Sequence, residues 1–248
     1  MIISAAIGML ALATGLVMGS YAATAGLRWT RGEPSTAGRS HCDSCLKPLA
    51  FSETLPLISY MVRRGACSRC GDRIDPVHPM GEAAGAAVLL AAALLVPWPR
   101  VILVAGLGLV LIASATIDWK TQRLPDLLTG IIALLAAVLA LTGSPPRILE
   151  GVLVATVVFS LLQLLRFLSS RRSGDPGLGL GDVKLLCAVS LWLGMAIPWA
   201  VAGGALLGLL VIAILRPKDP RLPFGPMIAL ASFAVGLARE GVWWPMTP

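Results

Sequence analysis

Seven stretches of this chain carry no Asp, Glu, Lys or Arg: residues 1–27, 83–99, 101–117, 127–146, 151–165, 185–215 and 222–238. Each is dominated by Leu, Ala, Val, Ile and Gly, and about 20 such residues span the hydrocarbon of a bilayer. The run 185–215 is too long for one crossing and holds Gly194 and Pro198 near its middle, so it is read as a hairpin of two short spans. The pattern therefore predicts an all-α polytopic membrane protein of about eight transmembrane helices, with seven as the alternative. The first run has no basic residue before it and exceeds the roughly 7–15 apolar residues of a signal peptide, so it reads as a retained span.

Composition agrees. Apolar residues make up 56% of the 248 positions and charged residues 13%, with a mean hydropathy of +0.82, more than a soluble core can use. The net charge of +7 takes its meaning from its distribution. With the amino terminus outside, the loops 28–82, 118–126, 166–184 and 216–221 fall on the cytoplasmic side and hold 17 of the 20 Lys and Arg residues. The excess of positive charge is thus a mark of membrane orientation. It lacks the basic, aromatic-interleaved face of a nucleic-acid binder, so no nucleic-acid partner is expected.

Residues 28–82 break the apolar pattern. They are polar, rich in Pro and Gly, and hold four of the five cysteines, as Cys42-Asp43-Ser44-Cys45 and Cys67-Ser68-Arg69-Cys70. Two C-x-x-C knuckles separated by 21 residues can close a tetrahedral thiolate shell around Zn2+. The alternative, a pair of disulfides, is disfavoured in the reducing cytoplasm to which the charge count assigns the loop. Four sulfurs leave no open position, so the metal is expected to fold the loop and perform no chemistry. The organisation expected is a first span (1–27), a small zinc-binding cytoplasmic insertion (28–82) and a membrane core (83–248). His41 adjoins the first knuckle and could replace one cysteine as a ligand, although a role beside the metal or a merely polar one is favoured; Cys187 is expected to pack in an apolar helix, and His78 has no partner visible in the sequence.

Ionisable groups at membrane depth are costly and mark functional sites. Asp118 ends the run 101–117, and Asp182 follows Gly179-Leu180-Gly181 at the entrance of the run 185–215, so both are expected at cytoplasmic helix ends. Two carboxyls close together do not both ionise; one keeps a proton while the other activates water against an amide carbonyl. The glycines beside Asp182 let the backbone bend and a substrate strand approach. Taken singly, each aspartate could instead be a solvated helix end, Asp182 facing a helix dipole and Asp118 pairing with Lys120 or Arg123. Asp126, after Leu124-Pro125, is a further candidate but suits a helix start. Glu82 and Glu150 flank spans on opposite sides, Glu150 away from the aspartates.

These pieces, in order, resemble the bacterial type IV prepilin peptidases, intramembrane aspartyl proteases of the GxGD type. The resemblance runs through Gly15-Leu16-Val17-Met18-Gly19-Ser20, His41-Cys42 to Cys45, Leu55-Pro56-Leu57-Ile58-Ser59-Tyr60 and Gly65-Ala66-Cys67 to Gly71. It continues through Asp118 to Asp126, Gly179 to Lys184, and Pro223-Phe224-Gly225-Pro226. It implies an inner-membrane enzyme with a periplasmic amino terminus, whose catalytic residues Asp118 and Asp182 face the cytoplasm. It implies prepilin or type II secretion pseudopilin substrates, with membrane lipid around the spans. It further implies methylation of the new amino terminus from S-adenosylmethionine, although Tyr21-Ala22-Ala23-Thr24 replaces the family's usual Phe-Leu-Asn-Val. Glu82 stands where the family commonly has a glutamate.

Two other classes compete. A transporter would use the same aspartates as a proton relay but predicts repeated helical halves, and no convincing repeat is seen. A non-catalytic assembly factor would present the cysteine loop to partners and predicts that loss of both aspartates is harmless. Oligomeric state and the S-adenosylmethionine site are not readable from the sequence.

Overall fold

The computed structural model describes residues 2–34, 38–143, 147–174, 177–216 and 223–241. Most of the expected basic loop 216–221 and the first residue of the run 222–238 lie outside them. Among the described residues the chain is helical, and its only β pairing is two isolated bridges. It divides into two compact units, Met1–Leu94 and Leu95–Pro248.

The first unit holds α1 (Ile2–Thr30), the short α2 (Ile58–Val62) and α3 (Val77–Leu95). The long helices cross where both sequences thin to glycine. A Cβ on Gly15 would stand 2.5 Å from the Gly85 carbonyl oxygen, and Gly19 meets the Gly81 carbonyl more closely still. Small residues four apart allow backbones to touch, and van der Waals packing then replaces the hydrophobic force that lipid cannot supply. Toward the polar loop, Ala23, Leu27 and Val77 form a small buried core. Both helices run past the uncharged limits, α1 to Thr30 and α3 from Val77, because Arg28 and Glu82 are accommodated inside them, at 7% and 9% exposure.

The second unit contains α4 (Val101–Thr121), α5 (Asp126–Leu141), α6 (Ile148–Ser173), α7 (Leu180–Leu193), α8 (Ile197–Leu215) and α9 (Gly225–Glu240). Helix α7 is central, packed on α5, α6 and α9; α9 also packs on α4 and α8. The break expected near Gly194 is present: the residue has φ +48° and a single 3-10 turn, Gly194–Ala196, separates α7 from α8. Helix α6 carries Arg171 and Arg172 in its last turn, where cations suit the helix dipole, so it outruns its uncharged stretch. Leu149, Leu153, Val157, Leu161, Leu164 and Leu168 of α6 are all exposed, as suits a lipid-facing surface.

Eight helices of 14 residues or more are thus present among the described residues. By length and composition five segments are long and apolar enough to cross a membrane, α7 and α8 counting as one 35-residue segment. Helices α5 and α9, at 16 residues each, reach only about 24 Å and fall short of the count.

At the end of the second unit formed by the start of α4 and the end of α9 lies a polar network. Arg100 donates two hydrogen bonds to Glu240, at 2.6 and 2.7 Å, and a third to the Leu139 carbonyl. The Trp192 indole also donates to Glu240, at 2.8 Å. Arg239 donates to both oxygens of Glu150 and to the Trp192 carbonyl. The Met195 N–H completes the shell of Glu150 at 2.8 Å.

Candidate active site and metal centre

Asp118 and Asp182 occupy the opposite end of the second unit, one in the last turn of α4 and the other in the first turn of α7. Asp118 is 5% exposed and Asp182 part-buried, and Asp118 is the charged group whose field reaches Asp182. One contact that holds Asp118 comes from α9. The N–H of Gly225, first residue of α9, donates to Asp118 Oδ2 at 2.9 Å. A helix start leaves its first N–H groups without intrahelical acceptors, so α9 presents this donor without cost to its own ladder. Gly225 has to be glycine: a Cβ there would stand 2.5 Å from that same oxygen.

The glycines before Asp182 serve sterics more than bending. Gly179 has an ordinary φ of −62° as the residue preceding α7, but a Cβ on it would lie 3.1 Å from Asp182 Oδ2. A Cβ on Gly181 would lie 3.1 Å from the Leu124 side chain. The left-handed glycines lie further back, Gly174 at φ +73° and Gly177 at φ +69°. Arg166 of α6 donates to the Leu178 carbonyl and so fixes the approach to α7. Asp126 is drawn away from the pair: Lys184 donates to it at 2.6 Å, and its side chain is 78% exposed. Cys187 is a half-buried thiol on α7.

In the first unit, the Sγ atoms of Cys42, Cys45, Cys67 and Cys70 all lie within 4.8 Å of one another, and all are free thiols. A tetrahedron with bonds of about 2.3 Å separates sulfurs by about 3.8 Å; Cys42 and Cys70 stand 3.8 Å apart. The residues fit a metal ion. Backbone N–H groups of Cys70 and Arg69 pull the Cys67 thiol down to about 6, toward the thiolate that metals bind.

The two knuckles are built alike. In the first, Cys42 N–H donates to Lys47 O, Leu46 N–H to Cys42 O and Leu49 N–H to Ser40 O; in the second the donors Cys67, Gly71 and Ile74 meet Asp72, Cys67 and Gly65. One antiparallel bridge closes each, His41 to Pro48 and Ala66 to Arg73. The residue after the second cysteine is left-handed in both, Gly71 at φ +74° and Leu46 at φ +57°. Ser44 donates across to Asp72 and braces one knuckle against the other.

His78, which lacked a partner in the sequence, faces Asp43 at 3.3 Å, and Arg31 donates to the same carboxylate at 2.7 Å. Partial burial works against ionisation of Asp43, but the hydrogen bonds from His78 and Arg31 outweigh it and hold the carboxyl well below its usual range. His41 contacts the Arg39 carbonyl and lies 4.0 Å from Glu33. Glu82 accepts from Ser20 Oγ at 2.9 Å and from the Leu57 N–H at 2.7 Å.

Residues 13–96 match the bacterial peptidase A24 N-terminal domain, and residues 105–238 match the type IV leader peptidase family. Among curated proteins, the prepilin leader peptidase/N-methyltransferase of Neisseria gonorrhoeae is 31% identical over 82% of this chain and 72% of its own length. That of Pectobacterium carotovorum is 34% identical over 82% and 75%, and that of Bacillus subtilis 28% identical over 92% and 93%. No solved structure matches the chain.

Proposed function

The chain belongs to the type IV leader peptidase family, and from that premise we infer that it is a multi-pass inner-membrane enzyme that cleaves the leader peptide of prepilins and methylates the amino terminus so exposed. The substrates are prepilins or the related pseudopilins.

The observation that carries the proteolytic reading is the placement of Asp118 and Asp182 at one end of the second unit, in the last turn of α4 and the first turn of α7, where the field of Asp118 reaches Asp182. In this reading one carboxyl holds a proton and the other is ionised. The carboxylate takes a proton from water as it attacks the scissile carbonyl, and the acid donates to the leaving amine. The Gly225 N–H keeps Asp118 at one rotamer, which spares the reorganisation that a free side chain would need. The aspartate end faces the cytoplasm: Lys120, Arg123, Arg171, Arg172 and Lys184 cluster there, as the positive-inside rule requires. The pilin's apolar helix stays in lipid while its extended leader junction reaches the pair.

Cys42, Cys45, Cys67 and Cys70 hold Zn2+, which ties the two knuckles together and takes no part in either reaction. S-adenosylmethionine, when bound, supplies an electrophilic methyl group to the terminal amine.

The test is cleavage of a purified prepilin in detergent by Asp118→Asn and Asp182→Asn, with mass spectrometry of the product. Each variant is expected to lose at least about 100-fold in rate. Full cleavage by either would remove that aspartate from the mechanism and bring Asp126 forward.

A further inference from the structure

The cysteine insertion carries a surface that neither cutting nor metal binding explains. Between its two knuckles the chain forms a 3-10 turn, Phe51–Glu53, and then α2, which pack on each other. Glu53 fastens both to the second knuckle: it accepts hydrogen bonds from the Ala50 N–H and from Ser68, and pairs with Arg63 at 3.2 Å. Phe51 and Val62, at 82% and 78%, are the two most exposed large apolar side chains among the described residues, and Ile58 and Met61 are exposed beside them. Ile58, Met61 and Val62 stand at i, i+3 and i+4, on one face of α2. Ser59 and Tyr60 turn the other way and line a cavity against α1 and α3. The apolar side thus faces out and the polar side in, the reverse of a helix on a water-soluble domain.

Two hydrogen bonds fix the depth of this piece against the long helices. Glu82 of α3 accepts from Ser20 of α1 at 2.9 Å and from the N–H of Leu57, the residue before α2, at 2.7 Å. Ser20 lies eight residues before Arg28, the first charged side chain of the sequence. Helix α2 therefore begins at a level about 12 Å short of that charge, where α1 is still apolar. Near the same level Val17, Met18 and Tyr21 of α1 and Met80 of α3 are exposed. The chain enters α2 through a strained turn: Leu57 has φ +57° and ψ −41°, and the Ile58 N–H donates to the Pro56 carbonyl at 2.6 Å. A γ-turn of this hand is rare and persists only where its surroundings hold it. Arg63 and Arg64 follow α2 directly, and Lys47, Arg69 and Arg73 stand on the knuckles.

We propose that Phe51, Ile58, Met61 and Val62 insert into the cytoplasmic leaflet of the bilayer as a foot of the metal-binding insertion, while Arg63 and Arg64 meet anionic headgroups; this rests on the reading of α1 and α3 as membrane spans. An interfacial helix sinks its apolar face roughly 5–10 Å into the boundary of headgroups and acyl chains and keeps its cations at the phosphates. An apolar face at the level of the spans, with two arginines at its end, meets both requirements. The foot holds the knuckles against the membrane surface from which a prepilin's leader emerges, so the insertion cannot swing free on its two helices.

The experiment is tryptophan fluorescence of the full-length protein in vesicles of phosphatidylethanolamine and phosphatidylglycerol, with and without phospholipid brominated near the headgroup end of its acyl chains. Val62→Trp places a reporter on the foot, Lys47→Trp on the first knuckle and Val17→Trp on α1. Each is read as the emission added to wild type, in protein of wild-type metal content. Brominated lipid should quench the added emission of Val62→Trp about twofold and spare that of Lys47→Trp, which aqueous acrylamide quenches instead. Phe51→Trp, at the other end of the foot, should behave as Val62→Trp does and decides alone if Val62→Trp loses its metal. Acrylamide quenching of the foot equal to that of Lys47→Trp, with Val17→Trp quenched by lipid, would put the patch in water and overturn the proposal. Added emission from the foot that neither quencher reaches would mean that protein covers the patch, and would equally overturn lipid as its occupant. If Val17→Trp also escapes the lipid, the reading of α1 as a span fails, and the foot with it.

Discussion

Replacing Gly225 by alanine isolates the positioning of Asp118 from its chemistry. The new Cβ would stand 2.5 Å from Oδ2, 2.9 Å from Cγ and 3.2 Å from Cβ of Asp118. Carbon and oxygen without a hydrogen bond settle no closer than about 3.2–3.5 Å, so one group must move by most of an ångström. Asp118, 5% exposed, has no solvent to swing into, and any retreat stretches the 2.9 Å bond from the Gly225 N–H. A displacement of about 1 Å at a catalytic group costs on the order of 100-fold in rate, or about 2.7 kcal/mol of barrier. The assay is prepilin cleavage with kcat and KM determined separately, since a misplaced carboxyl lowers kcat while leader binding persists. Gly106→Ala, on the same helix as Asp118 but with open space around its Cβ, is the control and should cleave like wild type. If Gly225→Ala cleaves within twofold of wild type, α9 does not position Asp118.

Three further outcomes are expected. Leu46→Gly relieves a left-handed backbone that costs a non-glycine residue about 1 kcal/mol, so it should slow metal release by a chelator, and Gly71→Leu at the matching position should hasten it. Arg100→Met leaves Glu240, with a side chain 9% exposed, without its cation; detergent melting should report a loss of about 3 kcal/mol, and Arg100→Met with Glu240→Gln should recover part of it. Removing the metal unties Cys42 and Cys45 from Cys67 and Cys70, so chelation should speed proteolytic cutting within residues 38–75, and restored Zn2+ should slow it again.

What the sequence made legible followed from the reach of each signal. The cysteine cluster was readable because ligand spacing is local, and the aspartates because charge at the edge of an apolar run is conspicuous. Helix lengths were underestimated: uncharged runs stop at Arg28, Glu82 and Arg166, whereas the helices continue through them. Gly15 and Gly19 were visible as a motif, but their fit against Gly81 and Gly85 needs two helices side by side. Gly225 appeared only within a resemblance, since its donor reaches a residue 107 positions away. The Arg100–Glu240 pair, 140 residues apart, leaves no trace in pattern, spacing or composition. The glycines before Asp182 were read as hinges because glycine so often is one, while Gly179 and Gly181 yield space to Asp182 and Leu124.

The network around Glu150, Trp192, Arg100 and Glu240 also has a consequence for biogenesis. Arg239 and Glu240 are adjacent on α9, yet each reaches a different, earlier helix: α6 through Glu150 and the start of α4 through Arg100. Helices emerge from the ribosome in order, so Arg100 and Glu150 enter the bilayer before either counter-charge has been made. Until α9 arrives, Arg100 lacks Glu240 and Glu150 lacks Arg239. The same arrival delivers the Gly225 N–H to Asp118, so the helix that pairs the two charges at one end of the bundle also completes the candidate site at the other.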